Sequence, residues 1–245
     1  MVIIMKYAVQ MYSLRTLAGE DLKKALETVA KIGYKGVEFA GFFGNDAETV
    51  RSWLDELGLE VYSTHTGIKE LYPEVIEETI KYHKALGNDL IIIPGASMKT
   101  REELDLVLDT INFAQPILEK AGIKLAFHNH YKEFIKTDYD AVIMDELVNK
   151  TKVNLQIDTY WAFYAGEDPV ALLEKLKDRV VCIHLKDGTL EKVGKSLGEG
   201  EAPVEKVLDK AIELSLPVVV ESEGEDPTGP EEVGRCFKFL QKLGK

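Results

Sequence analysis

Four of the five histidines, and several acidic residues, each follow a short apolar run: His65, then His128-Asn129-His130, Asp158, His184 with Lys186 and Asp187 beyond it, and Glu221 with Glu223. Glu38 ends a further such run. His128, Asp158, His184 and Glu221 together offer two imidazoles and two carboxylates and no thiolate. That donor set suits Mn²⁺, Co²⁺, Zn²⁺ or Mg²⁺. Ligands drawn from separate segments, with coordination positions left open, are what a catalytic metal requires. One histidine or aspartate after a strand is ordinarily a helix cap or a satisfied core group. Asp158 alone could cap the segment after it, and Glu38 could pair with a lysine. Independent caps, however, draw on Ser, Thr, Asp and Asn, so imidazoles recurring in this way point to a shared site. The remaining histidine, His83 within Ile80-Lys81-Tyr82-His83-Lys84, reads as a solvated helix-surface residue.

The elements that must position these groups alternate along the whole chain. Short β-branched or aromatic runs predict strands at 7–11, 36–39, 60–64, 90–94, 124–128, 153–158, 180–184 and 218–221. Amphipathic stretches between them predict helices over 20–32, 46–57, 73–86, 100–121, 139–149, 168–176, 203–214 and 229–243. Leu90-Ile91-Ile92-Ile93 is apolar throughout, as a strand is when helices cover one face and a filled interior the other. Gly33, Gly58, Gly87 and Gly122 stand just past helices; Thr100 and Glu103 have capping-box spacing; Pro73, Pro169, Pro203 and Pro230 mark helix starts. Eight βα units with no linker or composition shift predict one (β/α)8 TIM barrel over residues 1–245. A doubly wound open sheet is the competitor, but no GxGxxG follows Met11. In such a barrel the C-terminal strand ends carry the chemistry, and the polar groups fall at those ends.

Composition narrows the function classes. The 245 residues carry a formal net charge of −12, with 45% hydrophobic and 29% charged residues. No basic stripe is visible for nucleic acid, and no apolar run approaches the ~20 residues of a membrane helix. Met1–Met5 is too short for a secretory signal, so the expected location is cytoplasmic. Cys182 and Cys236 lie far apart and read as reduced thiols. Apolar helix residues leave room for a homo-oligomer.

Several longer motifs carry a resemblance: Phe127-His128-Asn129-His130, Leu155-Gln156-Ile157-Asp158-Thr159-Tyr160-Trp161 with Ala165-Gly166-Glu167-Asp168-Pro169, Ile183-His184-Leu185-Lys186-Asp187, Leu197-Gly198-Glu199-Gly200, and Val219-Val220-Glu221. In order and spacing they resemble the xylose isomerase-like TIM barrels over essentially the full length. Within that superfamily they are most similar to the sugar phosphate isomerase/epimerase branch, with relatives among inosose dehydratases and keto-sugar epimerases. The resemblance implies metal ligands Glu, Asp, His and Glu from strands 5 to 8, and carries over to Asp158, His184 and Glu221. His128 stands where many members have glutamate, as though Glu-Asn-His had become His-Asn-His, and His130 competes with it for the role.

The implied chemistry is proton transfer α to a carbonyl, through an enediolate stabilised by one divalent ion, manganese or cobalt first, magnesium or zinc otherwise. Glu221 and His128 are the expected acid/base pair. Glu38, His65, Asn129, His130 and Lys186 are expected to hold substrate hydroxyls, and Trp161 and Phe42 to cover a sugar face; core packing is the alternative for Trp161. Arg15 is a lone basic residue near the mouth, and no arginine cluster marks a phosphate site, favouring an unphosphorylated sugar, keto-sugar or cyclitol. Leu197-Gly198-Glu199-Gly200 is too short and acidic for a phosphate loop. Isomerase or epimerase is the leading expectation. A lyase of the inosose dehydratase or 3-keto-glycoside-eliminating type is the alternative, followed by an abasic-site endonuclease and a non-catalytic sugar binder.

Overall fold

The apolar runs form parallel strands, and the helices between them return the chain to the same edge each time. The computed structural model describes residues 6–224 and 229–244; the apolar start at 1–5 lies outside them. The strands are β1 (Ala8–Gln10), β2 (Gly36–Phe39), β3 (Glu60–His65), β4 (Leu90–Ile93), β5 (Lys124–His128), β6 (Asn154–Asp158), β7 (Val180–Leu185), the two-residue β8 (Asp187–Gly188) and β9 (Gly194–Lys195), and β10 (Val218–Val220). β1 to β7 and β10 pair in parallel into a closed barrel, sealed where Ala8 meets Val219. β8 and β9 form a separate antiparallel hairpin. This is a (β/α)8 TIM barrel.

Around it lie α1 (Arg15–Glu20), α2 (Leu22–Ile32), α3 (Ala47–Leu57), α4 (Ile76–Leu86), α5 (Arg101–Lys120), α6 (Ile143–Lys150), α7 (Thr159–Tyr164), α8 (Pro169–Leu176), α9 (Val204–Glu213) and α10 (Pro230–Leu243). Local chemistry sets many boundaries. Asp46, Thr100 and Asp168 cap their helices by accepting from Thr49 N, Glu103 N and Val170 N. Asp21 caps α2 by accepting from Lys24 N and so separates it from α1, a break the amphipathic pattern over 20–32 does not reveal. Pro73 precedes the first residue of α4 by three positions and so belongs to the turn before it. Among the described residues, no helix is long and apolar enough to cross a membrane.

Strand alternation sends successive side chains to opposite walls. Ile91 and Ile93 pack outward against Leu104, Leu108 and Ile111 of α5. Leu90 and Ile92 point inward and meet Ala126 and Cys182. On the same inward phase stand Gln10, Glu38, Ser63 and Gln156, and, at the strand ends, His65, His128, Asp158 and His184. The interior is therefore apolar at its floor, hydrogen-bonded in the middle, and metal-capable at the mouth.

His83 departs from the surface role expected of it. It is 3% exposed, because α4 lays this face against β3. Its Nδ1 lies 3.1 Å from Asn88 Nδ2, which donates to it, and its Nε2 lies 3.4 Å from Thr66 Oγ1. These contacts suit a neutral ring, and burial lowers its pKa to about 4. The unfolded chain therefore takes up a proton that the folded one refuses. Stability should fall as pH drops from about 6.5 toward 4, by up to about 3 kcal/mol. Urea unfolding at pH 7, 5 and 4 checks this against His83→Leu, in which that share of the acid loss disappears; equal pH slopes in both proteins would refute it.

Candidate metal centre

Ligand atoms of His128, Asp158, His184 and Glu221 lie within 4.8 Å of one another, all four residues buried. Each arrives by strand geometry. His128 ends β5, Asp158 ends β6 directly opposite His184 of β7, and Glu221 is the residue after β10. His184 Nδ1 stands 3.3 Å from Glu221 Oε2 and 3.9 Å from Asp158 Oδ2. His130 lies outside this set. It packs edge-on against His128 and 6.1 Å from the Trp161 ring, with its backbone N–H donated to Glu133.

Asp158 divides its work between two oxygens. Oδ1 accepts from Trp161 N at 2.9 Å and caps α7, the short helix that begins at the next residue. Oδ2 is buried without a hydrogen-bond partner among the described residues. A buried carboxylate oxygen left unpaired is costly, and burial raises the Asp158 pKa to about 7. A cation seated here would remove that cost, so the residues fit a divalent ion. The metal-free protein balances the charge with protons instead. Burial disfavours the charged form of His184, but Glu38 and Glu221 on either side overcome it and raise its pKa to about 10. Loading a metal would therefore release the Nδ1 proton.

Lys186 is buried at 1% exposure beside this group. Its Nζ donates to Glu221 Oε2 at 3.0 Å and to Glu223 Oε2, and lies 3.9 Å from Asp158 Oδ2. Burial favours the neutral amine, but Glu221, Asp158 and Glu223 outweigh it and hold the ammonium form. His128 receives too little such support: burial first, then His184 and His65, push its pKa well down, and Glu221 does not offset them.

The residues expected to hold substrate separate into two groups. His65 and His130 are half-buried at the strand ends, and Trp161 and Lys186 are buried beside the ligand set. Glu38 and Asn129 are fully buried and spent elsewhere. Asn129 bridges β5 to β6, its Nδ2 donating to Asp158 O and its Oδ1 accepting from Asp158 N. Glu38 lies beneath the ligands as an acceptor for interior donors. Phe42 packs with Phe39, Tyr82 and His83, away from the ligand set. Trp161 sits among Tyr131, Tyr160 and Tyr164, with Lys186 Nζ at 4.9 Å and Lys192 Nζ at 5.5 Å from its ring. Arg15 donates to Tyr12 O and stacks on the Tyr12 ring.

Sequence reasoning noted Glu223 beyond Glu221 but gave no role to it, to Gln156 or to Lys192. For Gln156 the signal was its position two residues before Asp158, on the same inward phase. The loop at 197–200 also acquires a role. Asp187 Oδ1 and Oδ2 accept from the backbone N–H groups of Gly188, Gly198, Gly200 and Ala202, at 2.8–3.1 Å. A Cβ on Gly200 would fall 2.2 Å from Asp187 Oδ1, so only glycine allows this approach. Asp187 thereby fastens the excursion after β7 next to Lys186.

A closed eight-stranded parallel barrel of this kind defines a class of fold. The family model for the xylose isomerase-like TIM barrel matches residues 26–243, and the chain belongs to that family. An inosose dehydratase of Geobacillus kaustophilus is 28% identical over 188 residues, covering 67% of this chain and 61% of that protein. Another, of Clostridium beijerinckii, is 26% identical over 198 residues, covering 71% of this chain and 66% of that protein. The chain thus spans just under two thirds of the length of these curated relatives. A sugar phosphate isomerase/epimerase structure from Parabacteroides distasonis superposes with a TM-score of 0.84 at 25% identity, covering 97% of this chain and 98% of that one.

Proposed function

We propose that this chain is a divalent-metal-dependent carbohydrate lyase that eliminates water β to the carbonyl of a keto-cyclitol of the inosose type. The observation that carries the reading is the contact of Lys186 Nζ with Glu221 Oε2 at 3.0 Å, an acid and a base on one side of the ligand set. Epimerisation needs a second proton carrier on the opposite face, and the strand-5 position that supplies a glutamate in many relatives is here the neutral His128. The inosose dehydratase relatives support elimination over the isomerase expectation.

His128, Asp158, His184 and Glu221 would hold the ion, which when bound polarises a carbonyl and acidifies the carbon beside it. Glu221 takes the α-proton, breaking the C–H bond. The Lys186 ammonium gives a proton to the β-hydroxyl; the C–O bond breaks, a C=C bond forms and water departs. Transfer of the abstracted proton from Glu221 to Lys186 across their hydrogen bond restores both groups, with no change of oxidation state. His65 and His130 border the space for substrate hydroxyls, and the Trp161 cluster keeps water from that side.

A screen of inososes, 3-keto-glycosides and keto-sugars with Mn²⁺ or Co²⁺, read by mass and by NMR in D2O, tests this. The expected product is the substrate less one water. A product of unchanged mass in H2O that gains deuterium at the α-carbon in D2O would instead establish an isomerase or epimerase, the reading favoured by the superposition on the isomerase/epimerase structure. Absence of both elimination and exchange would overturn both readings.

A further inference from the structure

The geometry points to Glu38 as the positioning residue that sets which nitrogen each metal-facing imidazole presents, acting directly on His184 and through Gln156 on His128. This rests on the metal reading of the site proposed above.

Glu38 is 0% exposed, and both carboxylate oxygens serve as acceptors. Oε1 takes Gln10 Nε2 at 2.6 Å and His184 Nε2 at 2.5 Å, and lies 3.1 Å from His65 Nε2. Oε2 takes Ser63 Oγ and Gln156 Nε2, the latter at 2.7 Å. Burial alone would raise its carboxyl, but the charge and hydrogen bonds of His65 and His184 hold it well below the usual range. With Nε2 tied to Glu38, His184 is left with Nδ1 toward Asp158 and Glu221.

The second link is Gln156. Because its Nε2 is donated to Glu38, its Oε1 must face the other way, where it lies 3.1 Å from His128 Nδ1 and 2.8 Å from His65 Nε2. A carbonyl oxygen there selects the Nδ1–H form of His128 and leaves Nε2 bare for a metal. Register irregularities fall at both residues, between Val37 and Glu38 against β3 and between Leu155 and Gln156 against β7. Such irregularities re-aim side chains beside active sites. One buried carboxylate thus prepares two ligands on different strands.

Glu38→Gln separates this role from simple packing. The new amide keeps its oxygen for the Gln10 and His184 donors at Oε1 and turns its NH₂ toward Ser63 and Gln156. Ser63 can rotate its hydroxyl to accept, but Gln156 Nε2 cannot accept and must exchange places with its oxygen. His128 Nδ1 then faces an N–H and the proton moves to Nε2, the nitrogen a metal needs. Long-range ¹H–¹⁵N NMR of the metal-free protein should show His128 as Nδ1–H in the wild type and Nε2–H in the variant. Mn²⁺ affinity by competition with a chelator should fall about 10–100-fold, the usual cost of losing an outer partner of a ligand.

Gln156→Met leaves Glu38 in place and should weaken Mn²⁺ binding as well; it decides the question if Glu38→Gln does not fold. A folded variant with the wild-type His128 tautomer and Mn²⁺ affinity within about threefold of wild type would overturn the inference. A wild-type protein that binds no Mn²⁺ would refute the metal reading, while the tautomer reversal would still decide the role of Glu38.

Discussion

Replacing Lys186 with methionine is expected to lower turnover about 10²–10⁴-fold, the usual contribution of a positioned general acid, while metal binding is kept or strengthened. The two effects separate because Lys186 is not a ligand. It is a buried cation 3.0 Å from Glu221 and 3.9 Å from Asp158, competing for carboxylates that a metal would also use. Its removal takes a positive charge from beside the divalent ion. In metal-free protein the same change leaves buried carboxylates without their counter-charge, a loss of about 3–5 kcal/mol when one partner of a buried pair is deleted. Added Mn²⁺ supplies the missing charge, so thermal unfolding should show a larger metal-induced rise in Tm for Lys186→Met than for wild type. Wild-type turnover in the variant would remove Lys186 from the mechanism, and weakened Mn²⁺ binding would show that it supports the ligands instead.

Asp158→Asn is expected to separate the two oxygens of one side chain. An amide oxygen in place of Oδ1 still accepts from Trp161 N, so the cap on α7 persists and the fold is retained. The unpartnered, anionic Oδ2 is what disappears. Metal affinity should fall further than the 10–100-fold typical of an outer-shell change. Activity should fall on the order of 10³-fold, since several kcal/mol of transition-state stabilisation comes from the ion. Circular dichroism and metal-free thermal unfolding should stay close to wild type. Calorimetric titration with Mn²⁺ provides the check, and affinity equal to that of wild type would place the ion elsewhere.

Both predictions depend on groups whose positions are legible in the chain but whose roles are not. The recurrence of apolar runs and amphipathic stretches determined a (β/α)8 barrel, because strand and helix periods are local properties of consecutive residues. The same periodicity put His128, Asp158, His184 and Glu221 at strand ends; the structure closes β10 at Val220 and leaves Glu221 one residue beyond. The cap at Thr100 was readable for the same reason, since it depends on the backbone N–H of Glu103 only three residues away.

Packing between distant segments decided the rest. His83 has a helix-surface sequence context but faces β3, because the angle at which α4 meets the barrel is not encoded within α4. Glu38 and Asn129 stand at strand ends like the other candidates, yet their oxygens are consumed by neighbours up to 146 positions away in sequence. α7 and the β8–β9 hairpin are too short to show a period, so the surroundings of Trp161 and Lys186 became visible only in three dimensions. The donor set of two imidazoles and two carboxylates was thus a matter of residue type and strand phase. Which nitrogen or oxygen each donor presents is a matter of hydrogen-bond partners on other strands, and only the closed barrel brings those partners together.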